Sequence, residues 1–98
     1  MYTIEQAEQL ASEFLRRMSA DWDYGVALFP GEKYRTQKGE FFYFTFQSAE
    51  YVATRDQKYY LYGPCHISVH SATGECKILG VQESFAIDPF NARERQKH

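Results

Sequence analysis

The residues of this chain best equipped for chemistry are two cysteines, Cys65 and Cys76, and two histidines, His66 and His70, with Glu75 close by. Cys65-His66-Ile67-Ser68-Val69-His70 alternates polar and apolar residues and reads as a strand. That decides what these side chains can do together. Strand residues four apart on one face stand about 13 Å apart, whereas two ligands of one zinc ion each lie about 2 Å from it. His66 and His70 therefore do not share a metal. Cys65 and His66 are neighbours and point to opposite faces, which defeats a thiolate–imidazole pair. Cys76 falls on the inner face, where a thiol behaves as a small apolar group. With His70 facing Glu75 across the turn, Cys76 stands opposite Val69 and Cys65 opposite Gly80, too far apart to bridge. No catalytic residue, metal site or cofactor is expected.

Two acids flank the single tryptophan in Asp21-Trp22-Asp23-Tyr24. A carboxylate pair can serve acid–base chemistry, but in a loop around a Trp it more often belongs to a solvated loop, and it can also form an acidic, aromatic contact patch for a basic partner. The competing reading makes Trp22 a core anchor over the end of the first helix. Tyr51, Tyr59, Tyr60 and Tyr62 cluster before Gly63-Pro64, and strand spacing would send Tyr60 and Tyr62 to one side and Tyr59 to the other. Some of them must be exposed. The candidate partner-binding residues are thus Asp21, Trp22, Asp23, Tyr24, Tyr59, Tyr60 and Tyr62.

Composition narrows the function classes. With 98 residues the chain supports one domain. A formal net charge of −2 lacks the basic footprint of a nucleic-acid binder. The start, Met1-Tyr2-Thr3-Ile4-Glu5-Gln6, lacks the basic and apolar regions of a signal peptide, and no run of about 20 apolar residues is present to span a membrane. A cytoplasmic protein is expected, with its cysteines as thiols. Aromatics reach 17%, which calls for an aromatic core, an aromatic recognition surface, or both. The six glycines are scattered at turns and form no phosphate-binding pattern.

The elements that must position these residues follow from periodicity. Thr3-Ile4-Glu5-Gln6 reads as a capping box. Ile4, Ala7, Leu10, Ala11, Phe14, Leu15 and Met18 recur at helical spacing, which predicts a helix over residues 3–19. Val26-Ala27-Leu28-Phe29 is a short apolar run broken by Pro30-Gly31, after which residues 32–36 either resume the strand or form loop. Residues 37–40 carry a turn signal. Phe41-Phe42-Tyr43-Phe44-Thr45-Phe46-Gln47 is the clearest strand. Its Phe42, Phe44 and Phe46 face should meet the helix, leaving the mixed face to solvent, a loop or a partner. Residues 48–54 read as a prolongation of this strand past a bulge, and residues 55–58 as loop. Residues 65–70 and 75–80 form a hairpin around Ser71-Ala72-Thr73-Gly74. Residues 91–98 read as a frayed polar tail. The expectation is a single α+β domain over residues 1–98, with an N-terminal helix packed on an antiparallel sheet of about four strands. An open edge strand would allow a homodimer.

This layout resembles the immunity protein 35 (YrhB-like) family. The resemblance rests on Ala7, Ala11, Phe14 and Leu15 of the helix, the aromatic strand Phe41-Phe42-Tyr43-Phe44, Gly63-Pro64 before a short strand, Thr73-Gly74-Glu75, and a strand ending near Gly80. It spans residues 3–82. It implies a small bacterial cytosolic protein that neutralises a cognate toxin by direct binding and carries no catalytic residues. A related member described as a small chaperone makes protein holding the second reading. A small-ligand-binding domain is the third.

Overall fold

The computed structural model describes residues 1–62 and 65–90, and the tail expected over residues 91–98 lies outside them. The first helix, α1, runs Ile4–Met18. Its capping box is formed: the Gln6 amide N–H donates to Thr3 Oγ1 (3.2 Å) and Thr3 N–H donates to Gln6 Oε1 (2.8 Å). Glu5 in the first turn and Arg16 and Arg17 in the last complement the helix dipole.

Five strands follow: β1 Val26–Leu28, β2 Arg35–Lys38, β3 Phe41–Ser48, β4 His66–His70 and β5 Cys76–Ile78. All pairings are antiparallel, and β3 is the hub. One of its edges pairs with β4, which pairs in turn with β5. The other edge is shared by β1 and β2, which are two halves of one interrupted strand. Leu28 faces Phe46 and Arg35 faces Phe44, so the six residues 29–34 stand opposite Thr45 alone. Pro30 and Gly31 (φ +110°) make that excursion, and Glu32–Tyr34 form a 3-10 turn within it. The strand does resume after the break, which raises the count from the expected four to five.

The Phe42, Phe44 and Phe46 face meets α1 as expected. These three rings, Ile67 and Val69 close on Ala7, Ala11 and Leu15 of α1, and every member is buried. Burying each large side chain contributes roughly 1.5–3 kcal/mol. Alanines at 7 and 11 let the helix approach the sheet closely. Met18 lies beyond the sheet and is exposed, although helical spacing placed it on the apolar face. At the β2 edge, Arg35 reaches across to Glu8 of α1 at 2.9 Å. The last hairpin keeps the expected register, with Val69 opposite Cys76, His70 N–H donating to Glu75, and Gly74 at φ +76° in the turn.

One expectation is overturned, and two further features go beyond the sequence reading. Residues 49–54 do not prolong β3 but form a helix, α2 (Ala49–Thr54), because the Ser48 hydroxyl caps it by accepting from Tyr51 N–H at 3.1 Å. Of the surroundings expected for the mixed face of β3, solvent is excluded at Tyr43 and Gln47, each only 4% exposed, and a loop segment lies on Gln47. Finally, Val81–Ile87 forms a helix, α3, started by Glu83, whose carboxylate accepts from Gly80 N–H. This helix and the residues after it lie over the mixed face. Lys38 Nζ donates to the carbonyls of Ile87 and Asp88, His66 Nδ1 meets Ser84 Oγ at 3.3 Å, and Lys77 pairs with Glu83. The result is three layers, α1, sheet, and α3 with its following residues, in an α+β fold.

Candidate binding surface

The structure gathers most of the predicted site residues at the β1 end of β3. Two buried side chains do this. The Gln47 amide grips the Leu61 backbone at both groups: Leu61 N–H donates to Oε1 (2.9 Å) and Nε2 donates to the Leu61 carbonyl (3.1 Å). The side chain thus stands in for a neighbouring strand. Next to it, Ser48 Oγ donates to the Tyr59 carbonyl at 2.5 Å. Asp56 starts a 3-10 turn, Gln57–Tyr59, by accepting from Lys58 N–H. The segment Tyr59–Tyr62 is therefore held over the end of the sheet, not paired into it as a strand.

Tyr24 arrives at the same corner from the loop after α1, where Ala49 N–H donates to the Gly25 carbonyl at 2.9 Å. Tyr24, Tyr59, Tyr60 and Leu61 line a cleft of about 210 Å³ with Glu50 and Lys58 at its polar side. The rings of Tyr51, Tyr60 and Tyr62 continue edge to face, with centroids 5.1 Å and 5.6 Å apart. Trp22 joins through Tyr24 at 6.0 Å. Exposure is 37% for Trp22, 48% for Tyr24 and 88% for Tyr62. At 37%, Trp22 is not the core anchor of the competing reading. Asp21 and Asp23 are exposed beside it. The Glu50 carboxylate next to Tyr59 raises the phenol pKa, chiefly by charge repulsion, with lesser contributions from desolvation and from the hydrogen bond between them.

Sequence reasoning missed the other flank. Phe29 is 7% exposed and stacks on Tyr34 with centroids 4.2 Å apart. The Arg55 guanidinium lies 4.1 Å from the same ring centroid. Two groups that close to one ring occupy opposite faces. Lys33 lies over Tyr34 at 5.1 Å, which completes a column of cation, ring, ring and cation. Tyr51 closes on Phe29 edge-on at 6.0 Å. Only Tyr51 of these residues drew notice in the sequence. The others come together through the six-residue excursion, of which Pro30-Gly31 signalled only the break, and through the new helix.

The remaining chemistry-bearing residues lie elsewhere. His66 and His70 sit on the outer face, both half-buried. His66 packs under Ser84 and against Phe90 (5.4 Å), and burial lowers its pKa while Asp88 partly opposes the shift. His70 packs edge-on against Phe41 at 5.0 Å, and its Nδ1 accepts from Ala72 and Thr73 N–H. The tautomer this requires carries its proton on Nε2, facing Glu40 at 3.7 Å. Burial raises the thiol pKa of both Cys65 and Cys76, with Arg17 partly offsetting it at Cys76. Among the described residues no three His, Cys, Asp or Glu side chains converge on a metal-sized site. No helix among them is long and apolar enough to cross a membrane.

No family model, curated protein or solved structure matches the chain.

Proposed function

We propose that this protein is a small cytosolic inhibitor that binds and neutralises a cognate bacterial toxin, as its resemblance to the immunity protein 35 family implies. The observation that carries the reading is the aromatic corner in which Trp22, Tyr24 and Tyr62 are exposed and Tyr59 and Tyr60 half-buried, bordered by Asp21, Asp23 and Glu50. Tyrosine and tryptophan are enriched at binding hot spots, where they add large, rigid contact area. The acidic border favours a partner that presents basic residues and would speed encounter with it. Inhibition is steric: the corner occupies the toxin and blocks access to its working surface, with no chemical step on this chain.

The test is to measure binding of the neighbouring gene's product to the wild-type protein, to Trp22→Ala and to Tyr62→Ala. Each variant should weaken binding by about 2 kcal/mol or more, roughly 30-fold, with the fold unchanged. Full affinity in both variants would remove the corner from the interface. A second reading, a chaperone-like holder of other proteins, is favoured by one feature: Val81 and Phe85 of α3 are 57% and 60% exposed, an apolar pair on a helix surface. It predicts that Phe85→Ser weakens suppression of aggregation of unrelated proteins.

A further inference from the structure

Beside the aromatic corner, and separated from its cleft by Tyr60, a groove of about 240 Å³ opens on the outer face of the sheet. Its floor is Thr45 and Gln47, and its walls are Tyr34, Tyr51, Tyr60 and Arg55. A neighbouring lobe of about 320 Å³ shares Tyr34 and Thr45 and adds Lys33, His66 and Phe90. Besides the tyrosine phenols, the titratable side chains lining the two lobes are basic: Arg55, Lys33 and His66. Among the described residues no carboxylate lines either one.

Arg55 is exposed, but aromatic contact and its backbone hold it in place. Its guanidinium is stacked on Phe29, which is itself clamped from the other face by Tyr34. Its backbone is held at the C-cap of α2 in the left-handed region (φ 61°), by a bond from its N–H to the Tyr51 carbonyl at 2.7 Å. Among the described residues the guanidinium, 4.1 Å from the Phe29 ring centroid, donates no side-chain hydrogen bond. Among the described residues Arg55 pairs with no carboxylate, and the adjacent Asp56 is turned to Lys58 instead. A planar, pre-oriented guanidinium with unused donors matches the two oxygens of a carboxylate. The rings beside it match an apolar or aromatic body.

We infer that this groove is a binding site for an organic carboxylate, with Arg55 gripping the carboxylate and Tyr34, Tyr51 and Tyr60 flanking the body attached to it. The carboxylate belongs either to a free small acid or to an acidic side chain or chain terminus of a protein. This inference stands independently of the toxin-binding reading, because a small probe tests it on the isolated chain.

The experiment is a two-dimensional NMR titration of the full chain with N-acetyl-L-phenylalanine, with the matching neutral amide as control. The acid should give saturable shifts at Phe29, Tyr51, Arg55 and Leu61, with a dissociation constant on the order of 1 mM. The amide should bind at least tenfold more weakly. Arg55→Asn, which tolerates the left-handed backbone, should weaken the acid by about 10- to 100-fold, and Arg55→Lys by a smaller factor because it keeps the charge without the fork. Thermal melting of both variants establishes that they remain folded. Equal shifts from acid and amide, or undiminished binding in a folded Arg55→Asn, would overturn the assignment. So would the absence of saturable shifts. If the probe binds and Arg55→Asn also weakens capture of the protein partner, that partner supplies the carboxylate. If capture is unaffected, the ligand is a free acid.

Discussion

Replacing Gln47 with leucine tests how the tyrosine segment is held. The two side chains are close in volume, and Gln47 is 4% exposed, so leucine fills the space without leaving a large cavity. What disappears is the pair of bonds to the Leu61 backbone, at 2.9 Å and 3.1 Å. Each ordinary hydrogen bond contributes about 0.5–1.5 kcal/mol net, so the pair contributes about 1–3 kcal/mol. Leu61 is only half-buried, so its freed N–H and C=O can regain water if the segment lifts. Lifting limits the loss, and we expect the lower half of that range in urea unfolding. The sharper readout is local. Among the described residues the Leu61 amide has no backbone partner and donates to Gln47, so its hydrogen exchange should quicken about tenfold or more. Thr45→Val, on the same face, should leave the Leu61 amide unchanged. An unchanged exchange rate in Gln47→Leu would refute the idea that this amide clamp positions Tyr59–Tyr62.

Three further outcomes follow from other contacts. Gly74→Ala should destabilise more than Gly39→Ala: both glycines have positive φ, but a Cβ at Gly74 would lie 2.9 Å from Tyr2 Cε2 and 3.2 Å from Leu10 Cδ1, while at Gly39 it meets nothing within 4 Å. Gly39→Ala should cost about 1 kcal/mol and Gly74→Ala about 2–3 kcal/mol by urea denaturation, with Tyr2→Ala in the same background restoring part of the difference. The lowered pKa of His66 means that the unfolded chain binds its proton more readily than the folded one. Its neutral form therefore supports the fold above the unfolded value of 6.5, and that support is lost as pH falls through the folded pKa. Stability should drop as pH falls below the unfolded value of 6.5, and His66→Gln should flatten that slope. Thr3→Ala should cost about 1 kcal/mol in thermal or urea unfolding by removing the cap of α1.

The parts of the fold that were legible in the sequence obey local rules. Thr3 and Gln6 cap a helix whatever surrounds it, the alternation of Phe42, Phe44 and Phe46 sets a core face, and Gly74 fixes the register of the last hairpin. Local rules fail where a residue's state is decided across the chain. Ala49-Glu50-Tyr51-Val52-Ala53-Thr54 mixes helix and strand formers, and only the cap from Ser48 and the bond from Ala49 to Gly25 choose helix. Seven residues of α3 are too short a stretch for periodicity to reveal, and their start depends on one Glu83 side chain. The candidate surface divides in the same way. That some of the tyrosines must be exposed was legible, and Tyr24 and Tyr62 are, but their convergence with the half-buried Tyr59 and Tyr60 depends on Gln47, Ser48 and Gly25. Phe29, Tyr34 and Arg55 carried no signal, because their stack exists only once β1 and β2 share one edge of β3.

The most direct test of the central claim is co-expression of the tagged protein with the product of its neighbouring gene, followed by purification and a growth assay. The account predicts a stoichiometric complex that abolishes that product's toxicity, and loss of both effects when Trp22 and Tyr62 are replaced by alanine. Recovery of the tagged protein alone, with toxicity undiminished, would contradict it.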